Sequence, residues 1–230
     1  MRLVLFDIDG TLVTVRGAGR RALKRALERV FGSSGAIDGY DMSGKTDPRI
    51  IREVMQGDGL DASAVNDRLD EFFEVYARSL AEEIGDGQNV VTMPGVVDLV
   101  RRLDGAEGVV LGLLTGNIEP GARIKLGPTG LLPYFALGAF GSDSHDRRLL
   151  PSLAARRAHA LIGHPFRPQE VLVIGDTPHD IDCARAFGAV AVAVATGRFS
   201  RQQLESDRPD LLFDDFSDVE AAARSLLDHR

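Results

Sequence analysis

Two aspartates, Asp7 and Asp9, close the apolar run LVLFDIDGTLV of residues 3–13, one residue apart and followed at once by a glycine. Carboxylates that close repel each other unless something positive stands between them. A second acidic cluster, Asp176, Thr177 and Asp180, comes much later in VIGDTPHD, and between the two lies LLTGN with Thr115, Gly116 and Asn117. Asp7, Asp9 and Asp176 in one crevice require either a shared proton or a divalent cation. Hard oxygen ligands, with no cysteine cluster and no histidine pair, select magnesium over zinc. With one oxygen on the metal, Asp7 keeps its other oxygen free to attack an electrophile, and phosphoryl is the group magnesium best accompanies. Asp9, two residues on and expected on the same side of the extended chain, is placed to give a proton to a leaving oxygen and later to take one from water. Gly10 permits a sharp turn whose amides face phosphate oxygens. Thr115 offers a hydroxyl to the same phosphoryl group, with Gly116 and Asn117 beside it, and a nearby cation would neutralise charge the metal does not reach.

These groups meet only if the elements that carry them end on one edge. Residues 3–7 are a short β-branched and aromatic run of the kind buried on both faces, and similar runs recur at 108–115, 170–176 and 189–195, with weaker ones at 135–140 and 210–213. Helical stretches sit between them, as at 96–103, 152–162 and 180–187. Alternation of strand and helix implies an α/β, doubly wound, Rossmann-like parallel sheet. In such a sheet the carboxyl ends of all strands point one way, which gathers Asp7, Asp9, Thr115 and Asp176 at the edge where open sheets bind ligands.

Between the first strand and the second the texture changes. Leu23, Ala26, Leu27, Val30 and Phe31 share one helical face, as do Ile51, Val54 and Met55, and then Val65, Leu69, Phe72, Tyr76 and Leu80. Three helices are expected, the second with Asp47 as N-cap and Pro48 at its first position, the third closed by GDGQN. The sequence therefore predicts an all-helical cap of residues 14–93 inserted into a core of residues 1–13 and 94–230, with Pro94 and Gly95 as a hinge.

Composition bounds the partners. A chain of 230 residues that is 44% hydrophobic can bury one substantial core and a smaller lobe. Its net charge of -7 argues against nucleic acid or an anionic membrane as partner, and no apolar run approaches a membrane span or a signal-peptide core. The lone Cys183 cannot form an intrachain disulfide and reads as core packing. The expectation is a soluble, cytoplasmic protein acting on a small diffusible molecule. No unpaired apolar face sets an oligomeric state.

In order and spacing, DIDGT, LLTGN and GDTPHD resemble the first, second and fourth motifs of the haloacid dehalogenase-like hydrolases, over nearly the whole chain. The helical insert directly after the first motif resembles the C1 cap of the phosphoglycolate phosphatase and β-phosphoglucomutase branch. The resemblance implies that Asp7 is the phosphorylated nucleophile and Asp9 the acid/base whose backbone carbonyl also touches magnesium. It further implies that Asp176 is the remaining protein ligand and Asp180 stands behind it or ligates occasionally. The family's third motif usually carries a lysine, yet the corresponding stretch here, SHDRRLLPSLAARRA, has none. An arginine must take its role. Counting back from Pro151 favours Arg148, whereas likeness to a DRN variant favours Arg147, toward which the reading leans. A guanidinium can hold a phosphate oxygen and the Asp7 carboxylate in a forked geometry.

Singly, each motif has an ordinary structural reading as a turn, a loop or a capped helix start. Their occurrence in order at three strand ends argues for chemistry. The expected function is a magnesium-dependent phosphatase hydrolysing a small phosphate ester, phosphoglycolate-like or a sugar phosphate, through an aspartyl phosphate. A β-phosphoglucomutase-like phosphomutase is the alternative, and a catalytically silent binding module on the same fold the second. Asp9 argues against dehalogenase chemistry, which has no alkoxide to protonate, and against phosphonatase relatives, which carry a small residue there. In the cap, Lys45 in MSGKTDP is a candidate to reach the leaving group.

Overall fold

The uninterrupted β-branched runs form strands, each within a residue or two of the expected bounds, in a computed structural model that describes residues 1–229. In chain order the elements are β1 (Arg2–Phe6), β2 (Val13–Thr14), α1 (Ala18–Phe31), α2 (Asp47–Gly57), α3 (Ala62–Asn66), α4 (Leu69–Ile84), β3 (Val91–Thr92) and α5 (Val96–Asp104). Then follow β4 (Val109–Leu114), α6 (Glu119–Leu126), β5 (Leu137–Ala139), α7 (Leu150–Ile162), β6 (Val171–Gly175), α8 (Pro178–Phe187), β7 (Val190–Val194), α9 (Arg201–Ser206), β8 (Leu211–Phe213) and α10 (Val219–Asp228).

Six strands pair in parallel in the order β5-β4-β1-β6-β7-β8. The central strand is buried on both faces: Val4 and Phe6 pack into one apolar layer with Leu99, Leu103 and Leu226, while Leu3 and Leu5 pack into the other with Ala154, Ile181 and Leu204. This is why its sequence is continuously apolar rather than alternating. Cys183 lies in the second layer, fully buried, where burial pushes its thiol up to about 12. The chain builds outward from β1 to β5 on one side and from β6 to β8 on the other, so the order reverses beside β1. The registers Phe6↔Leu113 and Phe6↔Ile174 bring the ends of β4, β1 and β6 level at this switch point.

The insert is helical, but with four helices. The third expected helix is divided, because the chain leaves helix at Asp67 and Arg68 and restarts at Leu69, so Val65 belongs to α3 and Phe72, Tyr76 and Leu80 to α4. Leu23, Leu27 and Val30 of α1 share a buried core with Phe72 and Tyr76, and the Phe72 ring stacks on Phe31 and on Tyr76 at 6.0 and 6.2 Å. The expected cap of α2 is also revised. Thr46 is its N-cap, Asp47 its first residue, and the Asp47 carboxylate accepts instead from the Ile118 N–H at 2.8 Å, at the start of α6. A tertiary partner outcompetes the local cap. The two passes between insert and sheet run side by side as an antiparallel ribbon, Val13↔Thr92 and Thr14↔Val91. Gly95 then takes φ 73 against the Phe216 carbonyl, where a Cβ would collide with that oxygen. Among the described residues no helix is long and apolar enough to cross a membrane.

Candidate active site

Asp7 is the first residue past β1, and its N–H still completes the ladder to the Ile174 carbonyl at 2.9 Å. The chain then turns tightly: the N–H groups of Thr11, Leu12 and Val13 converge on the Ile8 carbonyl, and Gly10 adopts φ 85. A side chain at Gly10 would meet the Asp176 carboxyl, so glycine is required both by conformation and by close approach. Asp176 follows β6, 3% exposed, and its Oδ1 accepts from Thr11 Oγ1 at 3.1 Å. Thr177 caps α8 in a reciprocal box with Asp180, whose Oδ2 accepts from the Thr177 N–H at 3.0 Å and the Thr177 hydroxyl at 2.7 Å. The other Asp180 oxygen is thereby aimed at the strand ends.

One oxygen each from Asp7, Asp176 and Asp180 lie within 4.8 Å of one another, all three residues buried. The third member of this carboxylate cluster is therefore Asp180, not the Asp9 side chain that the sequence reading placed there. The strand ends at Phe6, so alternation of faces no longer governs where Asp9 points. Arg147 reaches into the same cluster with Nη2 at 2.5 Å from Asp180 Oδ1 and 3.2 Å from Asp7 Oδ2, while Nη1 donates to the Gly44 carbonyl at 3.2 Å. Arg148 lies outside it, paired with Asp146 at 3.0 Å and with 58% of its side chain exposed. Burial works against the charge on Arg147, but Asp180 and Asp7 outweigh it and hold the group above its ordinary range. Burial raises Asp7 from 3.8 to about 6, with Arg147 opposing and Asp180 and Asp9 adding to the rise. Asp176 is raised as well, by burial and then by Asp180 and Asp7. With all three carboxylates ionised, one guanidinium leaves two negative charges, which a divalent cation would neutralise, and every donor is a hard oxygen.

A second polar knot lies beside the first. The Thr115 N–H extends β4 to the Ala139 carbonyl at 3.0 Å, and its hydroxyl oxygen accepts from the Asn117 side chain at 2.8 Å, leaving its own hydrogen to donate. Asn117 also donates to Asp9 Oδ2 at 2.7 Å and accepts at Oδ1 from Lys125 at 2.6 Å. Lys125 Nζ pairs with Asp9 Oδ2 at 2.6 Å. Sequence reading missed Lys125. The available signal was a lysine at the spacing of Ile118 and Ala122, on the face of a helix that turns inward, but Pro120 and Gly121 obscured that helix.

The insert closes over these groups. Gly116 offers its carbonyl to the Asp47 N–H at 2.7 Å, and any side chain at Gly116 would run into the Lys45 carbonyl. Thr46 Oγ1 donates to the His145 carbonyl at 2.8 Å, and Arg198 pairs with Asp41 at 2.5 Å. Burial raises Asp47 from 3.8 to about 6, against the pull of Lys125 and the Ile118 N–H. Together the two parts enclose a cavity of about 530 Å³, with Arg20, Leu23, Ile50 and Tyr76 on the insert side facing Asp7 and Asp9. Lys45 lines the cavity too, its ammonium 2.6 Å from the Tyr40 hydroxyl and 2.8 Å from Glu53. His179 is half-buried across a neighbouring cavity and is lowered by burial and by Arg147.

Known proteins match this chain along its length. Curated relatives include the probable phosphatase IndB of Dickeya dadantii, 28% identical over 239 residues that span 98% of this chain and 94% of that protein. The phosphoglycolate phosphatase of Synechococcus elongatus is 28% identical over 235 residues, 99% of each chain. Among solved structures, CbbY from Rhodobacter sphaeroides in complex with phosphate has the same fold at TM-score 0.73 and 18% identity, covering 95% of this chain and 96% of its own. A hydrolase from Pseudomonas syringae aligns at TM-score 0.70 and 24% identity, covering 100% and 97%. Residues 1–188 match the family model of the haloacid dehalogenase-like hydrolases, and the chain belongs to that family of hydrolases.

Proposed function

We propose that the chain is a magnesium-dependent phosphatase that hydrolyses a small phosphorylated metabolite through an aspartyl phosphate on Asp7. The observation that carries the reading is the buried cluster of Asp7, Asp176 and Asp180, crossed by one guanidinium and short of two positive charges. Asp7, Asp176 and the backbone carbonyl of Asp9 would hold magnesium, with Asp180 bracing the cluster through Arg147 and Thr177. Bound there, the ion supplies charge that draws phosphoryl oxygens in and polarises the phosphorus.

The residues of the chain do the rest. A carboxylate oxygen of Asp7 attacks phosphorus, the bond from phosphorus to the leaving oxygen breaks, and Asp9 gives that oxygen its proton. Asp9 then takes a proton from water, whose oxygen attacks the same phosphorus. The bond to Asp7 breaks and phosphate leaves. Thr115 donates its hydroxyl hydrogen and the Gly116 amide serves the phosphoryl oxygens, while Arg147 holds Asp7 in place; the amides of Gly10, Thr11, Leu12 and Val13, expected to face phosphate, are instead bonded within the turn to the Val13 and Ile8 carbonyls. Residues 14–93 act as a cap that swings on the ribbon of residues 13–14 and 91–92 and excludes bulk water when closed. Lys45 and its neighbours meet the leaving group from the cap side. The site of action is the cytoplasm, where the free thiol of Cys183 stays reduced.

Phosphoglycolate, the substrate in the name of the Synechococcus elongatus relative, is the first compound to try on a panel of phosphorylated metabolites, followed by sugar phosphates. The full chain with magnesium should release phosphate from 4-nitrophenyl phosphate, and Asp7→Asn should release none. Turnover surviving that change overturns the nucleophile. Chromatography of sugar phosphates after the reaction separates hydrolysis from transfer within the sugar, and silence on every ester tried would favour a binding module.

A further inference from the structure

Arg147 serves Asp7 and Asp180, which leaves the acid/base Asp9 outside its reach, and a different cation meets it. Lys125 is 4% exposed, and its ammonium rests on Asp9 Oδ2 and Asn117 Oδ1, each at 2.6 Å. We infer that Lys125 is the positioning residue for Asp9: it fixes the Asp9 carboxyl for proton transfer and carries the charge that balances the carboxylate left behind. This rests on the reading of Asp9 as acid/base.

The geometry supplies three reasons. Two donors, Lys125 Nζ and Asn117 Nδ2, fall on the same oxygen of Asp9, at 2.6 and 2.7 Å, so the plane of the carboxyl is set and Oδ1 is the oxygen left for the reaction. Both side chains line the cavity, but Asp9 keeps 42% of its surface open and Lys125 only 5%, so it is the carboxyl that is presented to a substrate while the ammonium is taken up by its two acceptors. A buried ammonium is costly to desolvate, and an apolar side chain of the same length would fill the space with less penalty. Its surroundings also tie it to the insert, since Gly19 of α1 stands over the ammonium, where an added Cβ would lie 3.7 Å from Nζ. The charges facing Lys125 are Asp9 and, further off, Asp47. In the transfer itself the proton passes from Asp9 to the leaving oxygen, the bond from phosphorus to that oxygen breaks, and Lys125 keeps its own protons.

Two esters of similar shape test this, because a nitrophenolate leaves without a proton and a benzyl alkoxide does not. The quantity to read is kcat/KM, which stops at departure of the leaving group and is blind to the later hydrolysis of Asp7. In Lys125→Met, kcat/KM should fall by about 100-fold on benzyl phosphate and by less than about five-fold on 4-nitrophenyl phosphate, in keeping with the usual weight of general acid catalysis. Lys125→Arg should recover part of the benzyl phosphate loss, and in an Asp9→Asn background Lys125→Met should change neither value by more than about three-fold. Equal losses on both esters, or no loss, overturn the role of Lys125. Asp9→Asn measured alone separates the two ideas. If it discriminates between the esters and Lys125→Met does not, only the inference about Lys125 fails, and if Asp9→Asn does not discriminate, the acid assignment fails with it. Should the apolar variant not unfold cooperatively, Lys125→Gln, which keeps the stem and an N–H donor, is read by the same ratio.

Discussion

Replacing Arg147 by alanine tests the electrostatics of the cluster most directly. The guanidinium is 7% exposed and shares Nη2 between Asp180 at 2.5 Å and Asp7 at 3.2 Å. Removing one partner of a buried ion cluster leaves the others uncompensated and costs about 3–5 kcal/mol. For a chain of this length that corresponds to a fall in Tm of roughly 6–20 °C. Asp7 already stands at about 6 with Arg147 lowering it, so losing the arginine raises it further and leaves the proposed nucleophile protonated at neutral pH. Turnover should therefore disappear along with part of the stability. Arg148→Ala is the control, since that side chain pairs only with Asp146 near the surface, and Tm and phosphate release should stay near those of the parent. Arg147→Lys should fall between, because one ammonium cannot span Asp7, Asp180 and the Gly44 carbonyl at once. Thermal unfolding without divalent cation and steady-state phosphate release, run on the three variants, decide the matter. Equal mild losses from both alanine variants, or full turnover by Arg147→Ala, would refute the reasoning.

Two further outcomes are expected. Burial raises Asp47 from 3.8 to about 6, so its contribution to stability is complete below about pH 4 and is lost as pH rises through about 6, by about 3 kcal/mol in all. Asp47→Asn, which resembles the protonated form, should therefore stabilise the protein at pH 8 by up to that amount and flatten the pH dependence of urea unfolding; a less stable variant at pH 8 would contradict it. Magnesium at about 100 times its Kd should add about 2.7 kcal/mol, a rise in Tm of roughly 5–10 °C. Asp176→Asn should remove most of that rise, and binding should weaken as pH falls through about 6, where Asp7 takes up a proton.

The strands and their polar ends were legible because both signals are local. A run such as VLVIG has no alternation to misread, and an aspartate directly after it can only sit at the strand's end. What escaped depends on what a residue meets in space. Asp9 was placed by the two-residue repeat of a strand that had already ended, so its lysine partner went unseen. Asp47 carries the signature of a cap for its own helix, yet its carboxylate crosses to α6 because Thr46 takes the cap position and the Ile118 N–H lies within reach. The division of α3 from α4 involves neither proline nor glycine, only Asp67 and Arg68, and the apolar positions on either side happen to match one face. Arg147 and Arg148 are chemically identical neighbours, and only the fold distinguishes which one turns inward.

The pairing of Val13 with Thr92 bears on how the molecule is assembled. Because departure and return of the polypeptide are neighbours, a short peptide could seal the gap and leave the sheet with all six strands in register. The lobe is thus separable in construction from the sheet, whose strand ends hold Asp7 and Asp176 in place through pairings the insert takes no part in.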